Sequence, residues 1–90
     1  MSESSNEIEK IRSKIEEFEN EDIYVEVEGA LQYNVTIKKA KILISNQKIF
    51  ITNEKEQDFI IELYYLDFVE IENNTLIMNM LNDIKITLDY

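Results

Sequence analysis

The stretch IYVEVEGALQYNVTI, residues 23–37, decides the fold class. Its first six residues alternate between apolar and polar side chains, which is the pattern of a strand with one buried and one solvated face. The alternation continues beyond Gly29 on the same register, through Leu31 to Ile37. A glycine at this position predicts either a kink within one long bent strand or a turn between two strands.

The rest of the chain repeats this pattern in shorter runs that are separated by polar turns. Residues 45–48 have turn chemistry, and the pairs 73–74 and 82–83 are Asn-Asn and Asn-Asp, which tolerate positive φ. The sequence therefore predicts one domain over residues 1–90, mainly β in an α+β arrangement. We expect an N-terminal helix followed by a strongly bent antiparallel sheet or small barrel of about six or seven strands.

Within this domain the predicted boundaries are a flexible N-terminus at 1–4, a helix at 5–19 and antiparallel β-structure at 23–90. The residues predicted to form the inner face of the sheet are Val25, Val27, Leu31, Val35, Ile42, Ile44, Ile61, Leu63, Val69, Ile71, Ile86 and Leu88.

The predicted helix is amphipathic. Its apolar residues Ile8, Ile11, Ile15 and Phe18 recur at spacings of three, four and three, which places them in one narrow stripe. Ser4 and Glu7 have the spacing of a capping box at its start. Its last turn is rich in glutamate, where the helix dipole favours cations, so we expect this end to fray or to meet a positive group from elsewhere.

The composition argues against catalysis and against a bound metal. The chain has no Cys, no His, no Pro and no Trp, and a single Gly. Zinc sites need Cys or His, serine nucleophiles need a base, and the charged loop 53–58 lacks the glycine of a calcium loop. We therefore expect no enzymatic activity, no catalytic residues, no metal site and no cofactor.

The net charge of -10 restricts the partners. A field of this sign repels nucleic acid and anionic lipid, whereas it attracts basic proteins. The polar, acidic N-terminus is unlike a secretory signal, and no apolar run approaches the roughly 18 residues of a membrane span. The absence of cysteine fits a reducing compartment, so we expect a soluble cytoplasmic protein.

The charges are divided into three segments. Residues 1–29 hold ten acids and three bases, residues 30–53 hold four lysines and no acid, and residues 54–90 hold nine acids and two bases. The four lysines are Lys38, Lys39, Lys41 and Lys48. They are interpreted as protection of an exposed sheet edge, as a contact site for an acidic group, or as internal partners of the acidic segments.

The strand rhythm of residues 44–52, 60–71 and 73–76 is similar to that of bacterial PH-like and GRAM-like domains, over about half of the chain. The helix at the N-terminus is closer to the arrangement of small Sm-like or SH3-like barrels. The resemblance implies a small curved sheet or barrel used as a binding scaffold, and it implies no chemistry. The Asp and Asn motifs of Sm-type RNA binding are not recognisable, so no binding residue is carried over.

Two functions follow from these features. The first is a small, acidic, non-enzymatic protein-binding module that occupies a basic surface of a partner. Such a module could be an inhibitor or a nucleic-acid mimic, of the kind found among phage anti-defence and immunity proteins, and the partner's basic surface would then be one that normally holds nucleic acid. The candidate contact residues are Glu16, Glu17, Glu19, Asp22, Glu26, Glu28, Glu70 and Glu72. The alternative is a PH-like or Sm-like scaffold, or a self-assembling housekeeping protein, in which acidity only aids solubility.

The placement of the acids separates these two functions. A mimic needs the candidate residues to share one face, whereas a scaffold would scatter them over the surface.

Overall fold

The computed structural model describes residues 3–45, 47–55 and 58–90, and of residues 3–5 it describes the backbone alone. The predicted class is confirmed, because one α-helix precedes a mainly β, antiparallel domain. The helix α1 spans Glu3–Ile15 and is continued by a 3-10 turn at Glu16–Phe18, so it begins earlier than the expected residue 5. The strands are β1 (Ile23–Glu28), β2 (Tyr33–Ile37), β3 (Lys41–Ser45), β4 (Lys48–Thr52), β5 (Asp58–Glu62), β6 (Leu66–Glu72), β7 (Thr75–Met80) and β8 (Ile84–Asp89).

The strands form two sheets around one core. The larger sheet has the order β2-β1-β8-β7-β6, and the smaller sheet has the order β3-β4-β5. All neighbouring strands are antiparallel. A second 3-10 turn at Leu63–Tyr65 connects β5 to β6 and carries the chain from one sheet to the other.

Gly29 lies in a turn between two strands. β1 ends at Glu28 and β2 begins at Tyr33, so the alternation passes through a connection rather than along one strand. The prediction of Leu31 on the inner face is therefore wrong, since Leu31 lies in this connection and is 83% exposed. Gly29 does not have a positive φ, but a Cβ there would lie 3.3 Å from Cγ1 of Ile84.

Most of the other predicted inner-face residues do line the core. Val25, Ile61, Leu63, Val69, Ile86 and Leu88 are buried, and Val27, Val35, Ile42 and Ile44 pack against them while partly buried. Ile71 alternates with Glu70 and Glu72 and is therefore on the inner side of β6, but 42% of it is exposed. It lies near the end of β6, which is an edge strand and has a neighbour on one side only, so less of the sheet covers it.

The helix packs beside β6 and satisfies the backbone of that edge strand. Oε1 of Glu7 accepts a hydrogen bond of 2.7 Å from the backbone N–H of Val69, and Oε2 accepts one of 3.0 Å from Nζ of Lys10. The Val69 hydrogen bond, followed by the Lys10 contact, lowers the pKa of Glu7. Both carboxylate oxygens of Glu7 thus have hydrogen-bond partners, one on β6 and one on the helix. The capping box predicted for Ser4 and Glu7 involves the side chain of Ser4, which is outside the described part of the structure.

The acidic end of the helix is held against β3. The backbone N–H of Asn20 donates to the carbonyl of Ala40 at 2.8 Å, and the N–H of Ala40 donates to the carbonyl of Glu21 at 3.0 Å. Oε1 of Glu19 accepts a bond of 3.1 Å from the N–H of Ile42 on β3. These bonds anchor the segment that follows the helix, for which the sequence predicted either fraying or contact with a positive group. Together with the Glu7 bond they connect one edge strand of each sheet.

Candidate protein-binding face

The outer face of the five-stranded sheet is defined by the side chains that alternate with the core residues. The strand register sets them in three rows across the sheet. The first row is Thr36, Tyr24, Asp89, Thr75 and Glu72; the second is Asn34, Glu26, Thr87, Ile77 and Glu70; the third is Glu28, Lys85, Asn79 and Phe68. We call these three rows the acidic face.

Four of the eight predicted contact residues lie on the acidic face. Glu26 and Glu28 are on β1, and Glu70 and Glu72 are on β6, at the other side of the same face. Glu26 and Glu70 belong to one row and are three strand spacings apart, which is about 14 Å. Asp89 adds a fifth carboxylate between them, whereas Lys85 is the one cation in the three rows.

Short local contacts orient some of these carboxylates. Oε1 of Glu28 lies 4.0 Å from Nζ of Lys85, and Oε1 of Glu70 accepts a bond of 3.2 Å from Nδ2 of Asn79. Oδ1 of Asp89 accepts a bond of 3.2 Å from the hydroxyl of Thr75. These contacts are solvent-exposed, so each contributes little to stability while it restricts where the negative charge lies.

Apolar side chains lie between the acids. Ile77 is half-buried on β7, between Thr87 and Glu70 in the second row, and Phe68 and Tyr24 are exposed in the rows on either side. Apolar and aromatic side chains interspersed with charged ones occur in protein-binding surfaces, where aromatic anchors supply much of the affinity.

Glu17 lies at the rim of the acidic face. Its Oε1 accepts hydrogen bonds from Nζ of Lys14 at 2.9 Å and from the hydroxyl of Tyr90 at 3.0 Å. The Lys14 bond, then the Tyr90 bond, lowers the pKa of Glu17, while burial and this carboxylate raise the pKa of Tyr90. Nζ of Lys14 also donates to the carbonyl of Asn73, which ties the helix to the turn beside the first row.

The remaining three predicted residues face β3 instead. Glu16 and Glu19 line a shallow groove between the helix and β3, and Oδ1 of Asp22 accepts a bond of 3.0 Å from the backbone N–H of Lys39. Glu19 and Asp22 therefore hold the chain together through backbone groups. The structure thus places four of the predicted residues on the acidic face, Glu17 at its rim, and Glu16, Glu19 and Asp22 beside β3 and the turn before it.

The lysines of residues 30–53 occupy three different settings. Lys38 and Lys39 form the turn before β3, and Lys41 begins this edge strand, where its Nζ donates to Oδ1 of Asn20 at 2.6 Å. Lys48 on β4 pairs with Glu62 at 3.5 Å. Lys38, Lys39 and Lys41 also line a cleft of about 500 Å³ with Lys55 and two acids. Lys41 thus lies on a sheet edge and has a hydrogen-bond partner within the chain, and Lys48 has an ion-pair partner within the chain.

The sequence identified four of the fourteen residues of the acidic face, and the residues it missed include Asp89, Tyr24, Phe68 and Ile77. The alternation of apolar and polar residues places Tyr24 on the outer side of β1, so the sequence alone indicates that Tyr24 shares a face with Glu26 and Glu28. It also places Phe68 on the same side of β6 as Glu70 and Glu72, whereas Asp89 and Ile77 join the face through the pairing of β8 with β1 and with β7. Nothing in the linear sequence specifies that pairing.

Within residues 3–45, 47–55 and 58–90, no group of three or more His, Cys, Asp or Glu residues is placed to hold a metal ion. No helix in this described part is long and apolar enough to cross a membrane. No family model, no curated protein and no solved structure matches this chain.

Proposed function

We propose that this protein is a non-enzymatic binding module whose acidic face occupies a basic surface of a partner protein. The observation that carries the proposal is the gathering of Glu26, Glu28, Glu70 and Glu72 on one face. These residues are as much as 46 positions apart in the sequence, and the strand pairing places them on the same face as Ile77 and Phe68.

The electrostatics of this face favour a cationic protein. Five carboxylates and one lysine give the three rows a net charge of -4, by the difference of five and one. Clustered charge steers a complementary partner and speeds its encounter. The apolar residues between the acids then provide desolvated contact area, which charge alone does not supply.

A partner that normally binds nucleic acid fits this arrangement best. Its basic surface is built to neutralise phosphates, and the carboxylates of the acidic face present negative charge of the same sign from a folded sheet. In this form the protein acts as a competitor of nucleic acid. The alternative scaffold function makes no use of the shared orientation of these acids.

The test compares three immobilised proteins as bait for a lysate of the native host at about 50 mM salt. They are the wild type, the face variant Glu26→Lys with Glu70→Lys, and the control Glu9→Lys with Glu54→Lys. Both variants change the net charge by the same amount, and Glu9 and Glu54 are exposed positions outside the acidic face. Captured proteins are identified by mass spectrometry.

We expect the wild type and the control to retain a basic protein that the face variant loses. Addition of duplex DNA or RNA should release that protein if it normally binds nucleic acid. The proposal would be overturned if all three baits retain the same proteins, or if no bait retains any protein.

A further inference from the structure

The outer face of the three-stranded sheet has a different character from the acidic face. The register sets Leu43 on β3 opposite Phe50 on β4, and Phe50 opposite Ile60 on β5. Leu43 is 60% exposed, Ile60 is 51% exposed and Phe50 is half-buried. These three residues form what we call the apolar row, which points away from the core residues Ile49 and Ile51.

The apolar surface continues past Ile60. A groove of about 350 Å³ lies between β5 and the start of β8, and its lining includes the exposed residues Tyr65, Leu81 and Ile84. Contiguous apolar surface of this kind marks a contact site, in contrast to single exposed apolar residues, which are ordinary.

Charged side chains flank the apolar row in a balanced pattern. On one side the register gives Lys41, Thr52 and Asp58, and on the other it gives Ser45, Lys48 and Glu62. Two lysines and two carboxylates give this face a net charge of zero, although the whole chain carries -10. Two copies can therefore approach through this face with their acidic faces directed away from each other.

The arrangement of these charges selects one way to pair two copies. A two-fold axis parallel to β4 places β3 of one copy over β5 of the other, so Leu43 meets Ile60 and Lys41 meets Asp58. The two Lys48 side chains then face each other across the axis, and each keeps the ion pair with Glu62 of its own chain as a counter-charge. An axis across the strands would instead place Asp58 against Glu62 of the second copy, which is repulsive. Packed sheets are about 10 Å apart, a distance that lysine and aspartate side chains span together.

We propose that two copies of this chain pack face to face through the apolar row, with Lys41 of each opposite Asp58 of the other. The proposal is independent of the function assigned to the acidic face. The three strands cover about 10 Å by 17 Å, which is small against standard interfaces of about 800 Å² per partner. The dimer is therefore weak, with a dissociation constant on the order of micromolar or above.

Sedimentation velocity of the full chain at about 5 to 500 µM tests this proposal. The wild type should shift from monomer to dimer as concentration rises. Lys41→Asp and Asp58→Lys should each weaken dimerisation by roughly tenfold or more, because each places like charges opposite one another twice. The controls Lys38→Asp and Glu54→Lys make the same charge changes at exposed positions off this face, and they should dimerise like the wild type.

Mixing the two variants gives the sharpest result. A copy with Lys41→Asp and a copy with Asp58→Lys carry opposite charges at both contacts, so the equimolar mixture should regain the dimer that neither forms alone. Lys41 also contacts Asn20 within the monomer, so circular dichroism checks that each variant is folded. Leu43→Ser tests the apolar row without touching either charge, and it should also abolish the dimer.

A wild type that stays monomeric over the whole range would overturn the proposal and leave this face to a partner of another kind. Equal association of the wild type, Leu43→Ser and the two charge variants would overturn it as well, because self-association would then use a different surface.

Discussion

At the residue scale, single carboxylates connect elements that are distant in the sequence. Glu7 accepts the outward N–H of Val69 on β6, and Glu19 accepts that of Ile42 on β3. Edge strands present unpaired backbone groups that otherwise recruit other chains. Part of the large acid content of this protein therefore satisfies its own sheet edges, and this part is not available to a partner.

Glu7→Ala should destabilise the protein by about 1–3 kcal/mol, because it leaves the buried N–H of Val69 without a partner. Glu7→Gln keeps an acceptor oxygen for this N–H group and should destabilise the protein less than Glu7→Ala. The control Glu9→Gln changes an exposed residue whose ion pair with Arg12 is 3.8 Å long, so it should fall within about 0.5 kcal/mol of the wild type. Urea denaturation at neutral pH measures these differences, and equal stability of Glu7→Ala and Glu9→Gln would contradict the assigned role.

The same residue gives a pH dependence. The folded-state pKa of Glu7 is lowered, so its ionised form stabilises the fold at pH values above its unfolded value of about 4.3. This contribution is lost as the pH falls through the folded-state pKa. The stability difference between the wild type and Glu7→Gln should therefore be largest near neutral pH and shrink in acid, and a constant difference would contradict this prediction.

At the element scale, the short connections decide how the strands are placed. Lys39 has a φ of 51° in the turn between β2 and β3, and Asn82 and Asp83 have φ values of 68° and 60° between β7 and β8. Asn and Asp at the second turn are types that tolerate this conformation, so the sequence predicted it. Lysine at the first turn carries no such signal, and the sequence indicates only that Lys39 belongs to a cluster of lysines.

Lys39→Val should destabilise the protein by about 1–2 kcal/mol, since a β-branched residue is strained at positive φ. Lys39→Gly should be neutral or stabilising for the opposite reason. Lys38→Val is the matched control, because it makes the same chemical change at a neighbouring exposed residue without a positive φ. Thermal unfolding measures the stability of the three variants. Similar decreases in stability for Lys38→Val and Lys39→Val would show that the lost charge, rather than the backbone conformation, causes the effect.

The sequence predicted the elements better than it predicted their partners. Periodicity located the helix stripe, and Ile11, Ile15 and Phe18 are all buried. It failed at Leu31, where the alternation continued through a turn, and it did not predict the exposure of Ile71, which depends on an edge position. Half of the predicted contact residues share a face only because β8 pairs with β1, which is a long-range property of the fold.

At the scale of the whole molecule, the two sheets place different surfaces on opposite sides of one core. The five-stranded sheet presents the acidic face, and the three-stranded sheet presents the apolar row with balanced charge. A dimer through the apolar row would expose two acidic faces. Such a bivalent arrangement raises the apparent affinity for a partner with repeated basic sites without any new contact.

The association kinetics of the captured basic partner test the central claim about the acidic face most directly. For the wild type and for Glu9→Lys with Glu54→Lys, the association rate constant should fall steeply between about 50 and 300 mM salt, because exposed charges are screened within about 8–10 Å at physiological ionic strength. Glu26→Lys with Glu70→Lys should associate roughly tenfold more slowly at low salt, with a smaller change in dissociation. If this face variant associates as fast as the matched control, with the same salt dependence, the acidic face is not the binding surface.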